Sequence, residues 1–194
     1  DSLAYSAEKT VRDNADKTIG TREIARAFGL KNADRAELKR VLRELADEVI
    51  ETAVVKTSGR IRIFNRVKPG VVVDADREHL IRVLTNLKRN AVQALEFLQG
   101  ERPDAPDGVI TLDARREGSV AVIEVRDNGP GIPAQVRERL FQAFQSSARQ
   151  GGTGLGLAIA AELVRAHGGD IAVQSSSDAG TCFVITIPDQ VRQL

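Results

Sequence analysis

The stretch from Gly151 to Gly169, GGTGLGLAIAAELVRAHGG, constrains the fold more than any other part of the chain. Leu155 to His167 reads as a helix that is apolar on almost every side, stopped by Gly168-Gly169. Such a helix has to be buried, so the chain must supply another layer to cover it. The glycines in front of it have a second consequence. Glycine-rich backbone at a helix start turns free N–H groups and the positive end of the helix dipole toward one point, which suits an anion such as phosphate. No Gly-Lys-Ser/Thr of a Walker loop follows, and no strand directly precedes the box as a dinucleotide fingerprint requires. Alone, the box reads equally well as a flexible hinge.

The covering layer is legible in the apolar alternation upstream and downstream. Strands are expected at Ile61 to Val67 and Val71 to Val73, in a hairpin of Val109 to Ala114 and Val120 to Val125, and in a closing hairpin of Ile171 to Ser175 and Thr181 to Ile187. Helices are expected at Asp47 to Ala53, from a cap at Asp74 or Asp76 to about Leu98, and at Pro133 to Phe144. Ser146 to Gly152 is small and polar without periodicity, which predicts a mobile loop. The pattern is α/β (α+β): a two-layer sandwich of a mixed sheet with about three helices.

Composition limits what this sandwich can be. With 42% apolar and 28% charged residues, the 194-residue chain is an ordinary globular one. Lys and Arg number 28 against 27 Asp and Glu, so bulk attraction to nucleic acid or an anionic membrane has little to work with. Cys182 is the only cysteine, which excludes an intrachain disulfide or a multi-cysteine metal site and fits the cytoplasm. No apolar run approaches the ~20 residues of a membrane span. Methionine is absent even at position 1, as expected of a piece of a longer protein.

Two further motifs accompany the glycine box. On the helix from Glu78 to Leu98, Asn86, Asn90 and Gln93 fall on one stripe beside the apolar row Leu80, Leu84, Leu87, Ala91 and Leu95. Asparagine is a mediocre helix former, so this carboxamide row suggests a polar partner, although a solvated helix edge would look the same. An Asn oxygen suits a hard cation such as Mg2+ that keeps water and phosphate as its other ligands. The second motif, Asp127-Asn-Gly-Pro-Gly-Ile, ends an apolar strand. Its glycines let the backbone approach a ligand, and its carboxylate can accept from an exocyclic amine. As a lone motif it would be an ordinary turn.

Together these boxes, followed by Gly180-Thr181 in the last strand, resemble the ATP-binding domain shared by gyrase, the heat-shock chaperone, mismatch-repair ATPases and histidine kinases. The chain looks most like the catalytic domain of bacterial sensor histidine kinases. NLKRNAVQAL reads as the N box, DNGPGI and GTGLGL as the glycine boxes, and LFQAF as the F box, over roughly residues 47–188. The resemblance implies ATP and Mg2+ as cofactors and a nucleotide site made of Asn90, Gln93, Asp127, Gly129, Gly131, Ile132, Phe144, Arg149, Gly152, Thr153, Gly154, Leu155, Gly156, Leu157 and Thr181. Within it Asp127 and Thr181 meet adenine, Asn90 holds Mg2+, and the box from Gly152 to Gly156 holds phosphates. Asn86 and Asn90 are the catalytic pair, and Phe141 and Phe144 anchor a lid over about residues 145–152. Gyrase-type relatives carry a Glu where this chain has Asn86, which implies poor direct ATP hydrolysis. Many members carry a Lys where this chain has Gln93, leaving Arg89 or Arg149 to supply the phosphate-neutralising charge.

The implied reaction moves the γ-phosphoryl group to a histidine on a dimerisation domain of the same parent protein. It serves two-component signalling with a response regulator, in a homodimeric parent that is cytoplasmic or the cytoplasmic part of a membrane-bound sensor. The acceptor is not expected in this chain. His79 reads as a surface residue at a helix start and His167 as a helix-terminal residue favoured by the dipole. Residues 1–46 fit the resemblance badly and divide from 47–194. Asp1 to Asp13 reads as the end of a dimerisation helix, and residues 17–45 as a helix-turn-helix, similar to the winged-helix segment of bacterial exoribonucleases, with Leu38, Val41, Leu42 and Leu45 buried. Acidic Asp34, Glu37 and Glu44 dilute its basic face, so nucleic acid is not an expected partner. Two rival functions remain: an anti-sigma-factor-type kinase acting on a protein serine, and a non-enzymatic ATP-sensing or docking module whose helix-turn-helix binds nucleic acid.

Overall fold

The computed structural model describes residues 39–51, 60–142, 154–177 and 179–189, all within one compact unit spanning Glu37–Leu194. In chain order the elements are β1 (Lys39–Val41), α1 (Leu42–Glu51), β2 (Ile61–Asn65), β3 (Val72–Asp74), α2 (Arg77–Glu101), β4 (Gly108–Glu117), β5 (Val120–Asp127), α3 (Ala134–Arg137), α4 (Gly156–Ala166), β6 (Asp170–Ser177) and β7 (Gly180–Pro188). Five strands form one mixed sheet in the order β2-β4-β5-β7-β6. Its β2-β4 pair is parallel and its other pairs antiparallel. β1 and β3 form a separate antiparallel ribbon.

Strand alternation decides which face is covered. Ile110, Leu112 and Ala114 of β4, Ile123 and Val125 of β5, and Phe183, Ile185 and Ile187 of β7 are buried, while Asp113, Arg115 and Arg126 between them are exposed. The buried face receives α2 against β4 and β5 and α4 against β6 and β7; α2 packs in turn on α4 and α1. This is the expected sandwich. α2 is long because Asp76 caps it, accepting from the His79 N–H at 2.9 Å, and because Leu80, Leu84, Leu87, Ala91 and Leu95 give it an unbroken buried stripe. Leu157, Ala158, Ala160, Ala161, Leu163 and Val164 of α4 are buried, and only Arg165 and Ala166 at its end are exposed.

Two expectations are corrected. Pro133 to Phe144 was expected to be helical, yet of its described residues, 133–142, only Ala134–Arg137 are, followed by turns through Phe141. Among the apolar residues of 133–142 only Leu140 is buried, and Val136 is exposed, so no packed stripe stabilises further turns. The second correction concerns Val41, Leu42 and Leu45, which were assigned to a helix-turn-helix. Val41 lies in β1, while Leu42 and Leu45 begin α1. Leu42, Leu45, Ala46 and Val49 form a single buried stripe at helical spacing against α2 and β2, and α1 runs unbroken through residue 46. Residues 1–38, which hold the rest of that segment, lie outside the described residues.

Candidate active site

Alternation along β5 aims Ile123, Val125 and Asp127 at the helical layer and leaves Asp127 only 8% exposed. Burial pushes its pKa above the ordinary carboxylate range, while the N–H groups of Gly129 and Thr181 work in the opposite direction. The Gly129 N–H donates to Asp127 Oδ1 at 2.8 Å, and Thr181 is its register partner on β7. A carboxylate has about four acceptor positions, so these donors leave capacity for another.

The surrounding turn is fixed by close backbone approach. Gly131 has φ 74°, and a side chain there would collide with the carbonyl of Ser177. Gly180 has φ 127°, and a side chain there would collide with the carbonyl of Asp127. The Ile132 N–H donates to Ser176 Oγ at 2.6 Å, and that hydroxyl lies 3.5 Å from Thr181 Oγ1. Ser176 thus ties Ile132 to Thr181, a role with no sequence signal: it stands between the expected strand Ile171 to Ser175 and the turn at Asp178-Ala-Gly. Asn128 locks the turn to β4, accepting from the Val109 N–H at 2.6 Å.

α2 forms the floor of the site. A Cβ on Gly129 would lie 3.7 Å from Ala94 Cβ and 3.6 Å from Leu95 Cδ2. At the other end, a Cβ on Gly156 would lie 3.4 Å from Asn86 Oδ1 and 3.0 Å from Arg89 Nη2. Asn86 and Ala94 are ~12 Å apart along the helix at about 1.5 Å per residue. The DNGPGI turn therefore meets one end of this floor and the glycine box of α4 meets the other, with Asn90 between them. Leu155 is the N-cap of α4, no side chain caps the helix, and its ladder begins with Ile159 N–H to the Leu155 carbonyl. The N–H groups of Gly156, Leu157 and Ala158 precede that ladder and suit an anion. Gly154, at φ 69°, and Leu155 are buried just before them.

The Asn90 amide nitrogen is buried with no hydrogen-bond partner, so packing holds a polar group whose hydrogen-bonding capacity is unused. Among the described residues no three His, Cys, Asp or Glu side chains group to cage a metal. Mg2+ takes oxygen ligands, most of them from water and phosphate, so beside a phosphate cradle the Asn90 Oδ1 is the atom that fits it, while the unpartnered nitrogen can only donate. Gln93, half-buried, lies one turn beyond Arg89. Phe141 stacks edge-on against Phe183 with centroids 6.4 Å apart. Phe144, Arg149, Gly152 and Thr153, with the expected lid, lie outside the described residues.

The histidines differ from expectation. His79 is half-buried, and its Nδ1 lies 3.3 Å from His167 Nε2. His167 is buried, and both burial and His79 lower its pKa, so neutral imidazole is favoured over the cation that the dipole reading required. Lys88, between the two asparagines, is a further surprise. It is 1% exposed, donates to the Val49 carbonyl in the last turn of α1, and has its pKa lowered by burial. No described helix is long and apolar enough to cross a membrane.

The sequence profile of the histidine kinase-, DNA gyrase B- and HSP90-like ATPases matches residues 75–191. The circadian input-output histidine kinase CikA of Synechococcus elongatus is 41% identical over 135 residues, 67% of this chain but only 16% of that protein's length. Among solved structures, the catalytic domain of the histidine kinase ThkA is 26% identical with a TM-score of 0.67, covering 79% of this chain and 95% of that one. ThkA in complex with the response regulator protein TrrA is 26% identical with a TM-score of 0.62, covering 79% of this chain and 42% of that one.

Proposed function

The chain belongs to the histidine kinase-, DNA gyrase B- and HSP90-like ATPase family, and from that membership we propose that it is the catalytic module of a sensor histidine kinase. In this reading it binds Mg-ATP and passes the γ-phosphoryl group to a histidine on a dimerisation domain of the same parent protein. The observation that carries the reading is the arrangement along α2. A buried acceptor at Asp127 stands at one end, uncapped helix N–H groups stand at the other, and Asn90, whose amide nitrogen is buried without a hydrogen-bond partner, lies between.

Each part has a chemical task. Asp127 accepts from the adenine amino group, Thr181 and the Gly129–Ile132 turn line the base, and the start of α4 holds phosphate oxygens. Asn90 would hold Mg2+, which when bound neutralises phosphate charge and orients the phosphate oxygens. Asn86 bears an amide, which does not take a proton from water at neutral pH, so hydrolysis is slow. In the transfer, the bond from the γ-phosphorus to its bridging oxygen breaks, a phosphorus–nitrogen bond forms to the acceptor imidazole, and ADP leaves. Catalysis is then mainly positioning. A response regulator as the next partner is supported by ThkA's complex with TrrA, and a homodimeric parent completes the proposal.

His79 and His167 are not the acceptors, because each ring engages the other and His79 lies ~10 Å before Asn86 along α2 at about 1.5 Å per residue. Incubation with γ-labelled ATP, with and without a histidine-bearing dimerisation domain supplied in trans, tests this. Acid-labile label on the added domain alone is expected. Label on the chain that is lost in His79→Ala contradicts the assignment, and acid-stable label on a partner serine replaces it with the serine-kinase reading.

A further inference from the structure

The chain has two histidines, 88 residues apart in sequence, and they touch. His79 stands in the first turn of α2, where the Asp76 cap accepts from its backbone N–H at 2.9 Å, and His167 is the C-cap residue of α4. His79 Nδ1 lies 3.3 Å from His167 Nε2, with the rings edge to face and their centroids 5.4 Å apart. α4 begins at Gly156 beside Asn86 and Arg89 and ends beside His79, ~16 Å further on at about 1.5 Å per residue. The two helices therefore meet at both ends of α4, at one end over a glycine and at the other through a pair of imidazoles. Neither ring has a task in the transfer proposed above.

A hydrogen bond between two imidazoles needs one ring nitrogen to accept. In the neutral pair one ring donates and the other accepts. One added proton preserves the bond, because the charged ring donates and the neutral ring still accepts. A second proton leaves two N–H groups and two positive charges facing each other across 3.3 Å. We propose that His79 and His167 form a proton-operated clasp, which holds the start of α2 against the end of α4 with up to one added proton and opens with two. Burial and His79 oppose a cation on His167, while Asp76 at the cap of α2 and Asp74 at the end of β3 favour one. These carboxylates act from outside the contact and put no acceptor between the two nitrogens. The other charges around it are paired or in solvent: Arg77 with Glu48 and Glu78, Arg165 with Glu162, and Asp170, which opens β6, exposed. Opening loosens the start of α2, with the β1–β3 ribbon that leads into it, and leaves the buried stripe from Leu84 to Leu95 packed.

Hydrogen exchange and imidazole NMR of the whole chain, from about pH 7.5 to about pH 5.5, on either side of the ordinary imidazole value of about 6.5, test this. The open form binds one proton more than the closed form, so below about pH 6.5 the opening equilibrium should rise about tenfold per pH unit. Exchange of the Leu80 and Gly169 N–H groups, which donate to the Asp76 and Val164 carbonyls, should quicken by that factor once the intrinsic pH dependence of exchange is removed. Leu87 to Leu95 should stay protected. The two imidazoles should titrate as a coupled pair, in two separated steps. His79→Gln supplies an oxygen that accepts from a charged His167 and takes up no proton itself, so it should abolish the acid opening and leave a single step. His167→Gln should do the same from the other side. The proposal is overturned if exchange at Leu80 and Gly169 does not respond to pH, if the whole unit opens with them, or if the imidazoles titrate independently of each other. These three outcomes need only the unaltered chain. It is overturned equally if His79→Gln folds and still opens in acid as the unaltered chain does.

Discussion

In the proposed site, specificity for the base rests on one buried carboxyl, that of Asp127. Burial raises its pKa, so the acid form is reached on acidification sooner than at the ordinary Asp value of about 3.9. Protonation removes the charge and one acceptor position facing the base. Nucleotide affinity should therefore be full at neutral pH and fall as pH drops through that raised pKa. The Asp127→Asn variant should lack this acid limb. Titrations from pH 7 downward check it, and a limb of equal size and midpoint in both proteins would assign the pH effect elsewhere. Asp127, Asn90 and the glycines were legible in the sequence because their types are costly without a partner: a carboxylate closing an apolar strand, amides on a core-facing helix, glycines at a helix start. Ser176 and Lys88 were not legible. Serine is ordinary in a strand, and a lysine at a core position reads as solvated until the packing shows that it reaches the Val49 carbonyl.

The two long helices with a buried stripe of their own were readable, and the segment without one was not. The period along Leu80 to Leu95 located α2, and the composition of α4 located it too, whereas Pro133 to Phe144 had suitable residues but no surface to pack them on. β1, with three residues, is too short to show alternation, whereas the equally short β3 was legible as the apolar run Val71 to Val73. The start of α1 was missed for another reason, since Leu42 and Leu45 suited a helix-turn-helix equally well by periodicity alone. Their burial against α2 and β2 makes α1 part of the sandwich. Leu42→Ala should therefore destabilise the unit by about 2–5 kcal/mol in urea unfolding, as for a fully buried leucine. A loss below ~0.5 kcal/mol, typical of a surface position, would return Leu42 to a separate segment.

At the scale of the whole molecule, the mixed sheet is a scaffold that sets β5 and β7 side by side, so that Asp127 and Thr181 come to one place from residues far apart in sequence. The helical layer sets α2 against α4, bringing Asn86 and Arg89 to Gly156 in the same way. These two juxtapositions follow from topology, and local sequence carries no trace of either. The account's central claim is that they make one nucleotide site with adenine at Asp127. The most direct measurement is a calorimetric titration of the chain with Mg-ATP, in parallel with Asp127→Asn. One site per chain with micromolar-range affinity is expected, weakened about tenfold or more in the variant, because the amide can present a donor where the adenine amine needs an acceptor. Equal affinity of the two proteins for Mg-ATP would contradict the claim.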